Sequence, residues 1–353
     1  MRHIIAITES LASRGISGML VSTIRNVRYL TGFTGSSACL LITNKERIFF
    51  TDSRYEEQSK REVRGFDIVI EREERPKQIL EKAKSAGIRT LGFESTVSYA
   101  FYKSLLRKGF RVKSVTNLIE EMRRIKSRLE IKMISKAVER AEKAFLEVKP
   151  YIKPGFSERH LALRLEAGLK SQGCAVIPFD IIVASGKNSA MPHARPTDNR
   201  IKQGDFIMFD WAGEAGGYFS DMTRTFLLKG GKDLSRKIDI YNTVLSANQR
   251  AITSVREGII ARTVDKTARD VIKKAGYGDY FGHGTGHGVG LDVHELPRIS
   301  RFGRETIRPG MVFTIEPGIY LPGIGGVRIE DMVHAEKQGC TTLTSLPKGL
   351  ETL

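Results

Sequence analysis

Cysteine is scarce in this chain: three in 353 residues, at Cys39, Cys174 and Cys340. Odd in number and widely spaced, they match neither a disulfide framework nor a zinc-ligand pattern, so a reduced, cytoplasmic protein is expected. Long apolar runs are also missing. Stretches such as Cys39-Leu40-Leu41-Ile42 fall far short of the roughly 18 residues that span a bilayer, and no membrane partner is expected. Residues 1–15 lack the apolar core and small-residue cleavage site of a secretory leader. Acidic residues are outnumbered, 40 against 57 Lys and Arg, which leaves a net charge of +17. Both halves of the chain carry the excess and no basic tail stands out. The charge is therefore read as a solvated basic surface, with no nucleic-acid partner expected. What is present is globular in composition, 41% hydrophobic and 27% charged, which excludes wholesale disorder.

The length exceeds what one ordinary core supports, so two domains are expected, with bounds 1–122 and 123–353. The first alternates strand-like and helix-like segments. Residues 38–42 and 47–51 read as strands flanking the turn Asn44-Lys45, and residues 77–86 as a helix stopped by Gly87 before a strand at 90–93. This is an α/β pattern. The stretch 120–148 is charged and free of Gly and Pro, with apolar residues at Ile131, Ile134, Val138 and Phe145. It reads as a helix of the second domain, with a linker near 122–128. Beyond it, helical segments at 157–170, 234–256 and 263–275 alternate with short strands. Ser157 and Thr263 are candidate N-caps, and Gly173, Gly258 and Gly276 candidate stops.

Three strand regions carry carboxylates where packing alone disfavours them. Asp210 interrupts Phe206-Ile207-Met208-Phe209-Asp210-Trp211, and burying it ionised and unpaired would cost several kcal/mol. A second strand around Asp221 returns after Gly213-Glu214-Ala215-Gly216-Gly217. A hairpin centred on Ala215–Gly216 would put residues 210 and 221 directly opposite, with Cβ atoms roughly 4.5–5.5 Å apart. Two bare like charges there repel, and a cation between them resolves the conflict. One such Asp could cap a turn or meet an Arg. The anomaly recurs, however, at Glu316 after Val312-Phe313-Thr314-Ile315 and at Glu330 after Val327-Arg328-Ile329.

Residues 282–290 have glycine at every even position. No Gly-Lys-Ser/Thr follows and no dinucleotide fingerprint is present, so neither a P-loop nor a Rossmann turn is indicated. That much glycine also disfavours a helix carrying His283 and His287. In an extended chain the two imidazoles stand roughly 13 Å apart, which suggests one ligand and one outer residue. Four carboxylates and one imidazole suit two divalent ions, Mn²⁺ or Co²⁺ first, with Zn²⁺ and Fe²⁺ open. Two such ions activate water and stabilise an oxyanion, so hydrolysis is the expected reaction class.

The motifs that carry these residues resemble those of the "pita-bread" metallopeptidases, which include Xaa-Pro aminopeptidase, prolidase and methionine aminopeptidase. The matching stretches are Ser189-Ala190-Met191-Pro192-His193, the segment from Asp210 to Thr225, and 284–295 with His287 and His294. Thr314-Ile315-Glu316-Pro317-Gly318-Ile319-Tyr320 and Gly326-Val327-Arg328-Ile329-Glu330-Asp331 complete the set. The resemblance implies an N-terminal creatinase-like α/β domain followed by a pita-bread catalytic domain, α+β with a curved antiparallel sheet. It further implies that Asp210, Asp221, His287, Glu316 and Glu330 hold two metals, with Asp221 and Glu330 bridging. Glu316 would also serve as base and proton shuttle. His193 and His294 match outer histidines that meet the substrate and oxyanion, His283 a further one, and Arg328 a group that orients Glu330 or the substrate.

Within that family, a whole N-terminal domain sets the chain apart from methionine aminopeptidases, and the retained ligand set from creatinases. Residues 29–36 and 52–55 resemble the N-terminal domains of bacterial proline peptidases. Cleavage of the Xaa-Pro bond at the N-terminus of peptides is the expectation, with a strict Xaa-Pro dipeptidase as the alternative. A homodimer is implied by the resemblance. A metal-free binding module is a remote third reading, disfavoured because all five ligands are present. The order Ala212-Gly213 after Asp210-Trp211 reverses the family's usual one but removes no ligand.

Overall fold

The computed structural model describes residues 2–106 and 111–353. It separates into two compact units, Met1–Arg123 and Arg124–Leu353.

The first unit is built on one mixed six-stranded sheet. Its strands are β1 (Gly18–Val21), β2 (Ala38–Thr43), β3 (Arg47–Thr51), β4 (Asp67–Ile70), β5 (Thr90–Glu94) and β6 (Arg111–Val115), in the spatial order β4-β3-β2-β1-β5-β6. The central strands are buried on both faces, which explains the unbroken apolar run at 39–42. Leu40 and Ile42 pack with helix α1 (Arg2–Ser13), α2 (Ile24–Thr31) and α6 (Leu118–Arg123). Cys39 and Leu41, half a pleat away, face α4 (Arg75–Ser85) and α5 (Tyr99–Leu105). A short helix, α3 (Glu56–Glu62), precedes β4.

The second unit opens with α7 (Arg128–Val148) rather than with a helix running on from residue 120. The chain breaks between α6 and α7 because Ser127 caps α7, accepting from Glu130 N while Glu130 reaches back to Ser127 N. Before the cap, Ile125 forms a β-bridge with Met311. Helices α7 and α8 (Glu158–Ser171) cover an antiparallel sheet of β7 (Ile182–Ser185), β8 (Phe206–Trp211) and β11 (Met222–Leu227), with β9 (Glu214–Ala215) and β10 (Tyr218–Phe219) extending the β8–β11 hairpin. Phe145 anchors this layer, stacked on Trp211 at 4.6 Å between ring centroids.

A second helix pair, α9 (Leu234–Ser254) and α10 (Ala261–Lys274), packs on the other sheet. That sheet holds β12 (Gly286–Gly288), β13 (Glu295–Ile299), β14 (Val312–Ile315), β17 (Asp331–Glu336) and β18 (Gly339–Thr342), ordered β13-β12-β14-β17-β18. β15 (Gly318–Leu321) and β16 (Gly325–Arg328) form a separate antiparallel pair. Ser157 caps α8 as its sequence suggests, but α10 starts two residues before Thr263, after Ile260. Among the described residues no helix is long and apolar enough to cross a membrane.

Candidate metal centre and active site

The hairpin that brings the two aspartates together has a register different from the expected one. Asp210 pairs with Thr223, and Met222 with Trp211. The turn is centred on Gly216–Gly217, both at positive φ (58° and 80°), where a two-residue hairpin turn of type I′ requires such residues. Moving the centre by one residue shifts the partner by two, so Asp221 stays on the face of Asp210 but lies diagonally. It has also left the ladder: its backbone N–H points to Met332 Sδ.

Three of the candidate ligands sit where the chain leaves one strand for the next. Asp221 lies between β10 and β11, Glu316 between β14 and β15, and Glu330 between β16 and β17. Only Asp210 in β8 and His287 in β12 lie inside strands. Ligating atoms of Asp221, His287 and Glu330 fall within 4.8 Å of one another. His287 Nε2 is 3.4 Å from Glu316 Oε1 and 3.6 Å from Asp221 Oδ2. His287 Nδ1 faces the carbonyl of Gly288 at 3.1 Å, so the proton belongs on that nitrogen and the Nε2 lone pair faces the acids.

His283 Nδ1 lies 4.0 Å from the other oxygen of Glu316. The two imidazoles therefore converge on one carboxylate instead of standing 13 Å apart, because the chain is bent at residues 283 and 285 and becomes a strand only at Gly286. His283 Nδ1 faces Gly284 O at 2.8 Å, which leaves Nε2 to accept from Tyr320 OH at 2.9 Å. Tyr320 in turn accepts from Arg328 Nη1 at 2.7 Å.

Arg328 does not pair with Glu330. Its Nη2 donates to Asp210 Oδ2 at 2.5 Å, and Nη1 also reaches Pro192 O at 3.2 Å. It acts on Glu330 at one remove: Nε donates to Thr223 Oγ1 at 3.0 Å, and that hydroxyl donates to Glu330 Oε2 at 2.8 Å. Residues 328 and 330 share a strand parity, but β16 ends between them and the parity no longer holds.

All nine candidate residues line one cavity of about 520 Å³: His193, Asp210, Asp221, His283, His287, His294, Glu316, Arg328 and Glu330. Phe179, Ile182, Pro192 and Ala194 supply an apolar wall beside them. The rings of His287 and His294 are 4.2 Å apart. Tyr320 and Thr223 escaped the sequence reading, since an aromatic or a threonine in a strand is ordinary core chemistry. Only their partners mark them.

Electrostatically the cavity is strained without a cation. Burial, then the neighbouring Glu330, Asp210 and Glu316, push the Asp221 carboxyl well above its usual range. Burial and Glu316 do the same to Glu330, and burial raises Glu316 to about 7. Burial lowers His287 to about 3 and His283 to about 4, so both imidazoles are neutral. Asp210 Oδ1 and Asp221 Oδ1 are buried with no hydrogen-bond partner among the described residues. Orphaned carboxylate oxygens, crowded acids and a neutral imidazole lone pair together form a donor set that fits divalent metal.

The comparisons with known proteins agree on the family. Residues 132–337 match Metallopeptidase family M24, and residues 4–125 match the Creatinase/Prolidase N-terminal domain. The chain belongs to metallopeptidase family M24. Its fold is accordingly a creatinase-type N-terminal domain followed by a pita-bread domain. The chain is 38% identical to the Xaa-Pro dipeptidase of Pyrococcus horikoshii over 347 residues, covering 98% of this chain and 97% of that one. The structure of an Xaa-Pro dipeptidase from Bacillus anthracis is similar over 100% of this chain and 99% of that one, with 38% identity and a TM-score of 0.97. The X-Pro aminopeptidase structure from Thermotoga maritima is similar over 96% of this chain and 98% of that one, with 34% identity and a TM-score of 0.87. As an M24 metallopeptidase the chain is a hydrolase whose family uses divalent metal ions.

Proposed function

We propose that this M24 peptidase hydrolyses the bond preceding proline, as an Xaa-Pro dipeptidase, with two divalent ions held by Asp210, Asp221, His287, Glu316 and Glu330. The observation that carries the reading is that these five side chains line one cavity together with several apolar residues, and that two of their carboxylate oxygens are buried without a hydrogen-bond partner among the described residues. Mn²⁺ is the first candidate, since an oxygen-rich set with one imidazole suits it. When bound, the ions supply an activated water and positive charge for the developing oxyanion.

The chain's own residues supply the rest. Asp221 and Glu330, whose ligating atoms lie within 4.8 Å of each other and of His287, would be shared between the two ions. Glu316 takes the proton of the attacking water and returns it to the proline nitrogen, which has no N–H in the substrate and must leave as a secondary amine. His193 and His294 stand on the cavity wall to meet the scissile carbonyl and the substrate ends. Arg328 and Tyr320 hold Asp210 and His283 in place. Phe179, Ile182 and Ala194 offer a rigid apolar seat for the pyrrolidine ring.

The resemblance at Gly32-Phe33-Thr34-Gly35 makes aminopeptidase action on longer peptides the first expectation from the sequence. The dipeptidases similar to this chain along almost its whole length shift the reading to dipeptides. The Thermotoga maritima similarity keeps the aminopeptidase as the second reading. Product analysis with Ala-Pro and Ala-Pro-Ala, each with Mn²⁺-loaded protein, separates them. Cleavage of the dipeptide alone supports the proposal, and release of alanine from the tripeptide supports the second reading. Cleavage of neither by metal-bound protein overturns both.

A further inference from the structure

A polar cluster of Asn248, Lys348, Asp331 and Arg224 lies outside the residues that line the cavity and reaches the centre only through backbone carbonyls. Asn248 is fully buried in the middle of α9, among apolar neighbours such as Val244 and Ala251. Its Nδ2 donates to two backbone carbonyls, Ile315 O at 3.0 Å and Ile329 O at 3.2 Å. Each carbonyl belongs to the residue just before a carboxylate of the centre: Ile315 precedes Glu316, and Ile329 precedes Glu330. One amide group thus ties together the two points at which β14 and β16 end.

The orientation of that amide is determined by chemistry. Carbonyls only accept, so the atom facing both must be the NH₂, and each of its hydrogens has one partner. On the other side stands Lys348 Nζ, which only donates, 2.8 Å from Asn248 Oδ1. Lys348 also meets Asp331 Oδ2 at 2.6 Å. Asp331 accepts Arg224 Nη2 at 2.9 Å through its other oxygen, and Arg224 Nη1 donates to Glu330 O at 2.6 Å. The Glu330 backbone is held on both sides of its Cα, by Asn248 at the preceding carbonyl and by Arg224 at its own.

We infer that Asn248 is a positioning residue that sets the spacing of the Glu316 and Glu330 carboxylates, with Lys348 fixing the orientation of its amide. The inference rests on the metal-centre reading above. Its physical basis is that both carboxylates lie just outside strands, each with one backbone hydrogen bond of its own, Glu316 N–H to Thr285 O at 2.7 Å and Glu330 N–H to Thr223 O at 3.1 Å. Both stand next to the last rung of the β14–β17 ladder, Ile315 opposite Asp331. The helix adds a second tie between the two points through one side chain. An apolar residue of the same size would satisfy the core but take a donor from each of two buried carbonyls and remove the side-chain tie between them.

The test is cobalt binding to the metal-free full chain, followed by calorimetry and by the visible absorption of bound Co²⁺, which reports ligand geometry. Wild type is compared with Asn248→Ala, Lys348→Met and Val244→Ala, all checked for folding by circular dichroism and melting. Val244→Ala loosens the same helix core without touching either carbonyl. The expected result is that Asn248→Ala weakens Co²⁺ binding by about tenfold or more, as removal of a supporting hydrogen bond at a metal site does, and alters the absorption per bound ion. Val244→Ala does neither, and Lys348→Met falls between.

Wild-type affinity and spectrum in Asn248→Ala, or an equal loss in Val244→Ala, would overturn the inference and leave the metal centre standing. Failure of wild type to take up Co²⁺ would overturn the metal centre itself and the inference with it. Should Asn248→Ala not fold, Lys348→Met decides, because Lys348 is partly exposed: an unchanged affinity and spectrum there overturns the inference.

Discussion

Arg328 Nη2 lies 2.5 Å from Asp210 Oδ2, while Asp210 Oδ1 is buried without a partner. One oxygen of the carboxylate is thus held by a guanidinium and the other is presented to the cavity. The same guanidinium reaches Tyr320, Thr223 and Pro192 O, so each of its three nitrogens has a partner. Removing the planar fork should therefore disturb several groups at once.

Arg328→Lys is expected to keep the fold and to lose metal affinity by about 10- to 100-fold, with a corresponding loss of turnover. A lysine keeps the charge but reaches one partner, not four. Calorimetric Mn²⁺ titration of both proteins is the check. Equal affinities would mean that Asp210 needs no orienting partner.

Removing metal should lower thermal stability. In the metal-free protein three carboxylates crowd each other in a buried space, and the bound ions relieve that repulsion. With Mn²⁺ at about 100 times its dissociation constant the gain is about 2.7 kcal/mol per site. Melting curves with chelator and with added Mn²⁺ measure it, and coincident curves would count against the five-ligand set.

Phe145→Ala should separate stability from chemistry. Phe145 stacks on Trp211 and on Phe226 in the core between α7 and the first sheet, away from the cavity. The cavity left behind costs about 3–5 kcal/mol. A lower melting temperature with an unchanged KM at 25 °C is the expected pair of results, checked by calorimetry and steady-state kinetics.

The three thiols should be unreactive in the folded protein. Burial pushes Cys39 up to about 12 and Cys340 to about 11, and it raises Cys174 as well. A thiol pKa raised by folding means that the folded state holds its proton longer. The stability contributed by the neutral thiols is full below the ordinary thiol pKa near 9 and is lost as pH rises towards 11–12. Thiol titration at pH 8 should be slow in buffer and reach three equivalents in denaturant. Rapid reaction of Cys39 would show that its strand opens locally.

How much of this was legible in the residues differs from position to position. Asp210, Asp221, Glu316 and Glu330 stood out because an acid inside an apolar strand is costly, and a cost repeated along one chain calls for a common partner. His287 stood out through its glycine-rich surroundings. The two-unit division followed from length and from the change of pattern near residue 120. Where α7 begins was less visible, since the Ser127–Glu130 capping box lies inside a stretch that otherwise reads as continuous helix.

Other features were decided by tertiary structure alone. The register of the hairpin turned on whether Ala215–Gly216 or Gly216–Gly217 took the turn positions; the two glycines at positive φ took them, and that moved the partner of Asp210 from 221 to 223. Trp211 is the neighbour of Asp210 in sequence, yet strand alternation sends its ring to the opposite face, where it donates to Ala141 O. Tyr320, Thr223, Asn248 and Lys348 belong to residue types common in strands, helices and tails. Their importance comes from partners 8 to more than 100 residues away along the chain. Local patterns record what each residue costs to bury. Which distant group meets that cost is determined only when the sheets and helices close around one cavity.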